Sequence, residues 1–294
     1  MMPSKYAQCM NSTLRAHGHA TYRAMPELPE VETTLRGVSP YVIGKRVREV
    51  IVRDKRLRWP VPDTIHELEG CCIDSGIRRA KYMLFGTAKG TLMLHLGMSG
   101  NLRVLSPDTP FKKHDHLAIT LDSGKQLRLH DPRRFGAALW IEGDAMQHAL
   151  LKELGPEPLG DDFTTAHLHA ACKGKTAAIK QVIMDAHVVV GVGNIYASEA
   201  LFMAGINPRK AAGKVTRPQL EKLVKAIRKV LAASIKMGGT TLRDFVNESG
   251  EPGYFKRTLR VYDRADEPCR VCASKIKRIV QGQRSTFFCP KCQK

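Results

Sequence analysis

Four cysteines close to the C-terminus fall into two pairs, Cys269 with Cys272 and Cys289 with Cys292, and sixteen residues separate the pairs. A Cys-x-x-Cys turn presents two sulfurs to one point. Two such turns can close a tetrahedral thiolate site of the kind that binds Zn²⁺. Four protein thiolates leave no coordination position for water, so one structural ion is expected rather than a catalytic one. A disulfide or unliganded thiols are the alternative. The segment from Lys275 to Phe288 has β-forming residues at both ends and Gln281-Gly282 near its middle, the pattern of a hairpin. A module this short has no core of its own. Metal binding would supply its folding free energy, roughly 10–16 kcal/mol in small finger peptides. Lys275, Lys277, Arg278 and Arg284 make the hairpin basic, which suits a probe for a DNA groove. A merely solvated basic face would carry the same residues.

A second candidate lies at Val190-Gly-Val-Gly-Asn-Ile-Tyr-Ala-Ser-Glu-Ala200. Gly191 and Gly193 allow close backbone approach just before a helix, whose first N–H groups suit a phosphate, with Asn194 adding a side-chain donor. An ordinary glycine-rich helix entry has the same appearance.

The bulk composition favours nucleic acid. Lys and Arg total 47 against 28 Asp and Glu, a formal net charge of +19. Such an excess repels itself in a compact chain, so a polyanionic partner is its natural counterpart, DNA before an acidic membrane surface. No apolar run approaches the length of about 18 residues needed to span a bilayer. No secretory segment precedes the eight cysteines, which points to reduced thiols and a cytoplasmic location.

These candidates need positioning elements. A helix is predicted from Glu30 to about Val42, with Val31, Leu35 and Val38 on one face. Strands are predicted at 47–52, 91–96, 116–121 and 126–130, with one face buried as in an antiparallel sandwich or barrel. After Leu154-Gly-Pro-Glu-Pro158 the pattern turns helical. The clearest helix is 216–236, where Thr216 and Gln219 suit a capping box. Leu220, Leu223, Val224, Ile227, Val230, Leu231 and Ile235 form its apolar stripe. The domains expected are 25–155, 156–256 and 257–294. Residues 1–24 carry Lys5, Arg15 and Arg23 with no acidic residue or apolar period. They are expected to be disordered or to reflect a start site placed too far upstream; an organellar transit peptide is the alternative.

Met25-Pro-Glu-Leu-Pro-Glu-Val-Glu-Thr33 resembles the amino terminus of bacterial formamidopyrimidine-DNA glycosylases. The resemblance continues through Arg79-Ala-Lys-Tyr82, His95-Leu-Gly-Met-Ser-Gly100, Lys113-His-Asp-His116 and Asp131-Pro-Arg-Arg-Phe-Gly136. Gly191-Val-Gly-Asn-Ile-Tyr-Ala197, Gly253-Tyr-Phe255 and the cysteine pairs extend it over nearly all of 25–294. It implies an α+β fold: an N-terminal antiparallel β-sandwich with flanking helices, a helix–two-turn–helix domain and a β-hairpin zinc finger. It also implies a monomeric bacterial repair enzyme, cytoplasmic and nucleoid-associated. Such an enzyme excises oxidised purines (8-oxoguanine, formamidopyrimidines) from duplex DNA and cuts the strand there or at abasic sites by β,δ-elimination.

The chemistry fits the residues. If Met25 is the initiator, its removal exposes Pro26 as a secondary amine. An α-amino group has a pKa of about 7.7–8.0 against about 10.4 for Lys, so it is the better neutral-pH nucleophile and can form an iminium with a sugar C1′. In a chain that keeps its first 25 residues, Pro26 is an internal imide without that lone pair. The resemblance implies Glu27 as the acid assisting sugar-ring opening and Lys81 as an essential lysine at the lesion phosphate. It implies His114, Arg133, Lys180, Asn194 and Arg284 as DNA contacts. Met98, Arg133 and Phe135 would fill the void left by a flipped nucleotide. Two other readings stay open: an endonuclease VIII-like activity on oxidised pyrimidines, which Leu28-Pro29 disfavours, and a non-catalytic zinc DNA-binding protein.

Overall fold

A computed structural model describes residues 26–238 and 258–294. The 1–24 extension, Met25, the Gly253-Tyr-Phe255 motif and nearly all of the loop expected to cover a flipped base (237–254) lie outside the described residues.

Helix α1 (Leu28–Val42) opens with Pro29 in its first turn, where a missing N–H costs nothing, and with the Glu30 carboxylate accepting the Glu27 N–H at 3.0 Å. Val31, Leu35, Val38 and Val42 are buried at helical spacing. Eight strands follow: β1 (Val47–Val52), β2 (Ser75–Arg79), β3 (Tyr82–Gly86), β4 (Gly90–His95), β5 (Asn101–Leu105), β6 (Asp115–Leu121), β7 (Gln126–His130) and β8 (Ala137–Glu142). They form two antiparallel sheets, ordered β1-β6-β7-β5 and β2-β3-β4-β8. One apolar core joins both sheets to α1.

The four predicted strands are present. The other four lack alternation. In β3, Met83, Leu84 and Phe85 are buried in succession, a continuous run rather than a period of two. The sequence predicts one buried face for the sandwich strands, but Ala118 of β6 and Arg128 of β7 are buried as well. The reason is a cover over the polar side. The 107–111 segment lies on it, and Arg128 donates to the carbonyls of Pro107, Thr109 and Pro110 beneath the Phe111 ring.

The helical region comprises α2 (Thr165–Cys172), α3 (Ile179–Ile183), α4 (Asn194–Ala204) and α5 (Arg217–Lys236). In α5 the Gln219 carboxamide accepts the Thr216 N–H, as the capping box requires. Its buried stripe ends on Ser234, not on Ile235 as the apolar pattern suggests. Helix α4 is buried on every side from Ile195 to Phe202.

The C-terminal hairpin pairs β9 (Lys277–Gln281) with β10 (Arg284–Phe288). Gly282 and Gln283, at φ +52° and +62°, make the two-residue turn. A small core of Phe202, Val261, Ile276 and Phe287 lies beneath it. The hairpin module is tied to the helices by buried polar bonds. The Glu199 carboxylate accepts the N–H groups of Arg260, Val261 and Tyr262, and Gln293 donates to the Ile206 carbonyl.

Candidate active site and nucleic-acid interface

Pro26 is half-buried at the entry to α1, and Glu27 beside it is 1% exposed. The Glu27 carboxylate sits on the N-terminus of α4, accepting the Gly193 N–H at 3.0 Å, the Ile195 N–H at 2.9 Å and the Tyr196 N–H at 3.4 Å. The sequence suggests a phosphate for these donors; the structure gives them to the protein's own anion. Gly193 makes the approach possible, since a Cβ there would lie 2.2 Å from the Glu27 carboxyl carbon. Burial lifts the Glu27 pKa to about 7. Lys81 and the backbone donors oppose the rise, and the neighbouring Glu30 adds to it.

Glu30 is also buried. One carboxylate oxygen accepts the Glu27 N–H and the other accepts the Tyr196 hydroxyl at 2.7 Å. That hydroxyl also bonds the Ser234 hydroxyl at 2.6 Å. Glu30 and Tyr196 lie inside the N-terminal and Gly-x-Gly motifs but carry no role by spacing, and Ser234 gives only a weak signal. A serine at an apolar stripe position is the one clue.

Lys81 stands at the tight β2–β3 connection, next to Ala80 in a left-handed conformation at φ +55°. Burial lowers its pKa, with Arg284 acting in the same direction and Glu27 and Glu30 against it. His95 nearby is held to a pKa of about 4, chiefly by burial and further by Lys81 and Arg58. It is therefore neutral at physiological pH, and its Nδ1 accepts the Gly97 N–H at 3.0 Å.

Lys180 is 2% exposed. Its ammonium donates to Asn194 Oδ1 at 2.6 Å and to Thr286 Oγ1 at 2.7 Å, with the Ser285 carbonyl at 3.4 Å. The Asn194 amide donates to the same carbonyl at 2.9 Å. Burial brings the Lys180 pKa down to about 7. These two candidate phosphate contacts thus lie where α3, α4 and β10 meet, and Arg284 stands exposed two residues from Thr286. The structure therefore brings Glu27, Lys81, Lys180, Asn194 and Arg284 into one neighbourhood.

Met98, Arg133 and Phe135 occupy two touching turns. Ser99 Oγ donates to Asp131 at 2.7 Å and accepts the Arg133 N–H at 3.2 Å; Asp131 also accepts the Gly136 N–H at 2.7 Å. The clasp leaves Arg133 exposed, Phe135 43% exposed and Met98 half-buried. The Arg133 guanidinium lies 4.9 Å above the Phe135 ring. An apolar ring held out on a polar, positively charged face suits contact with a base stack. His114 is half-buried, its ring edge-on to those of His116 and His130.

The four cysteine sulfurs all lie within 4.8 Å of one another, with Cys269–Cys292 at 3.9 Å and Cys272–Cys289 at 3.4 Å. Tetrahedral Zn–S bonds of about 2.3 Å separate sulfurs by about 3.8 Å, so the cluster fits such an ion.

Three family models match the chain. They are the formamidopyrimidine-DNA glycosylase N-terminal domain over residues 25–138, the formamidopyrimidine-DNA glycosylase H2TH domain over 154–246, and a zinc finger found in FPG and IleRS over 266–294. A formamidopyrimidine-DNA glycosylase of Thioalkalivibrio sulfidiphilus is 59% identical over 271 residues, 92% of this chain and 100% of the relative. The MutM (Fpg) protein of Thermus thermophilus is 38% identical with a TM-score of 0.82, over 91% of this chain and 98% of that one. A Lactococcus lactis Fpg in complex with DNA containing an abasic site is 31% identical with a TM-score of 0.85, over 92% and 100%.

Proposed function

The chain belongs to the formamidopyrimidine-DNA glycosylase family, and from that premise we propose that it is a bifunctional glycosylase and abasic-site lyase. Its substrate class is oxidised purine in duplex DNA, and Pro26 is its nucleophile. The observation that carries the reading is the Glu27 carboxyl, buried on the N-terminus of α4 beside Pro26, with a pKa of about 7. Such a group holds a proton at neutral pH and can give it up on demand.

In the proposed sequence the Pro26 amine attacks C1′ with its lone pair while Glu27 donates a proton to the sugar ring oxygen. The bonds from C1′ to the ring oxygen and to the base break, and the departing base takes up the proton that the Pro26 nitrogen loses, leaving an open-chain iminium and a free neutral base. Loss of a C2′ proton then expels the 3′ phosphate, and a second elimination expels the 5′ phosphate. Lys81, Lys180, Asn194, His114 and Arg284 would hold the phosphates. Met98, Arg133 and Phe135 would occupy the stack vacated by the flipped nucleotide. A Zn²⁺ held by Cys269, Cys272, Cys289 and Cys292 would contribute folding free energy alone, because four thiolates leave it no open position. The net charge of +19 and the abasic-site DNA bound by the Lactococcus lactis relative support the choice of partner. The protein acts as a monomer.

The test is covalent trapping. A chain whose first residue is Pro26 is expected to be reduced by borohydride onto duplex DNA carrying 8-oxoguanine; a chain that retains Met1–Met25 is not. Peptide mass mapping should place the adduct on Pro26. An adduct on Lys81, whose pKa burial also lowers, would overturn the assignment.

A further inference from the structure

A chain of three buried side chains crosses from the helical region into α1 and ends on the peptide between Pro26 and Glu27. Ser234 of α5 bonds the Tyr196 hydroxyl of α4 at 2.6 Å, Tyr196 donates to Glu30 of α1 at 2.7 Å, and Glu30 accepts the Glu27 N–H at 3.0 Å. All four residues are at most 1% exposed. We infer that Tyr196, held by Ser234, is a positioning residue for base excision, acting through Glu30 on the placement of Glu27 and on its proton. The inference rests on the reading of Glu27 as the acid.

The polarity of these positions is what demands explanation. Ser234 occupies a stripe position where α5 otherwise presents Leu223, Ile227, Val230 and Leu231 to the core. A phenylalanine with an alanine would fill the same space with no polar atom to satisfy. Burying a hydroxyl costs free energy unless it is bonded, so a bonded triad has no packing advantage over an apolar one. What it adds is direction. A phenol has a single proton; giving it to Glu30 leaves the oxygen to accept from Ser234, which fixes the ring. The Glu30 carboxylate is then held at both oxygens, one of them by the N–H that follows Pro26.

Glu30 also acts by charge. Its proximity makes a second negative charge on Glu27 harder to form, which keeps the Glu27 proton in place. The other groups acting on Glu27 are Lys81 from the β2–β3 connection and the α4 backbone donors, all of which favour its ionised form. Lys180 of α3 also interacts with it, and Arg284 of β10 acts on both lysines. Tyr196 faces Glu30, Glu27 and Ser234. Glu30 is thus the negative neighbour that sustains the acid, and Tyr196 with Ser234 keeps it in place.

The experiment uses the full metal-loaded protein beginning at Pro26. Single-turnover excision of 8-oxoguanine is measured across pH, beside borohydride trapping on a preformed abasic site. An abasic sugar already opens to an aldehyde and needs no acid to lose a base. Tyr196→Phe and Ser234→Ala are expected to slow excision by roughly tenfold or more, as misplacement of a reacting group does, with a much smaller effect on trapping. Glu30→Gln is expected to move the alkaline limb of the excision profile to lower pH, because the negative neighbour is gone. Equal loss of excision and trapping in both hydroxyl variants, or an unmoved alkaline limb in Glu30→Gln, would overturn the inference. If Tyr196→Phe does not fold, Ser234→Ala, which loses one oxygen, carries the same comparison. Glu27→Gln separates the two readings. If it excises normally, the acid assignment fails; if it is inactive while the other variants match the parent, only the relay fails.

Discussion

Glu27 is an ordinary carboxyl made unusual by its surroundings. Its pKa in an exposed chain is 4.5 and in the folded protein about 7. Between those values the folded state binds the extra proton, so folding stability is full at low pH and falls as pH rises from 4.5 through 7. The loss amounts to about 3 kcal/mol, at about 1.4 kcal/mol for each unit. Glu27→Gln removes the titration while adding a constant cost, since an amide nitrogen cannot accept the α4 N–H groups. Its Tm relative to the parent should therefore be higher at pH 8 than at pH 5. The same difference at both pH values, by thermal unfolding, would contradict the raised pKa. The same titration bears on activity. Excision should decline above pH 7 as the acid loses its proton, and below about pH 7.7 as the Pro26 amine gains one, giving a bell-shaped profile with its maximum between.

At the scale of elements, the site depends on how closely α1 and α4 approach. Gly191 lies at φ +77°, and a Cβ there would meet Leu28 at 2.5 Å; at Gly193 it would meet the Glu27 carboxyl. Leu28 can give a little, but the Glu27 carboxylate is tethered by α4's own donors and has nowhere nearby to go. Gly193→Ala should therefore displace the acid while leaving the strands, the hairpin and the exposed basic side chains in place. The expected result is a loss of excision of roughly a hundredfold, the order seen when a catalytic group shifts by about 1 Å, with DNA affinity nearly kept. Undiminished single-turnover excision by this variant would mean that the contact with α4 is dispensable.

At the scale of the whole molecule, the hairpin module does more than extend a basic surface. Thr286 and the Ser285 carbonyl receive Lys180 and Asn194 from the helical region, so the candidate phosphate contacts on α3 and α4 are completed by β10. The module's own core is small, while the sandwich and the helical bundle have large separate cores. Cys272→Ala should therefore abolish bound zinc by metal analysis and weaken DNA binding by roughly tenfold or more, with most of the far-UV circular dichroism retained. Unchanged affinity in a zinc-free protein would separate the module from DNA binding.

The residues whose chemistry is local were legible in the chain itself. Two Cys-x-x-Cys turns specify a metal site because each turn fixes its own sulfurs, and the sulfurs do converge. Helix α5 announces itself because it buries one face at a fixed period, and strands β1, β4, β6 and β7 because apolar and polar residues roughly alternate along their sequences, although in β4, β6 and β7 burial extends to both faces. The Pro-Glu-Leu-Pro-Glu-Val start at 26–31, with Pro26 and Glu27 in it, carried the family together with the other motifs. What the sequence could not decide were the contacts made across the fold. Strand β3 is buried on both faces and has no period to read, and α4 is buried all round, its polar Ser198 and Glu199 included. The α4 N-terminus looks like a phosphate cradle in sequence, and only the packing of α1 shows that Glu27 fills it. Ser234 is an unremarkable residue 38 positions from Tyr196, and Thr286 stands 106 from Lys180. A pKa of about 7 on Glu27 belongs to no residue type. It arises from desolvation and from neighbours that only the folded chain brings together.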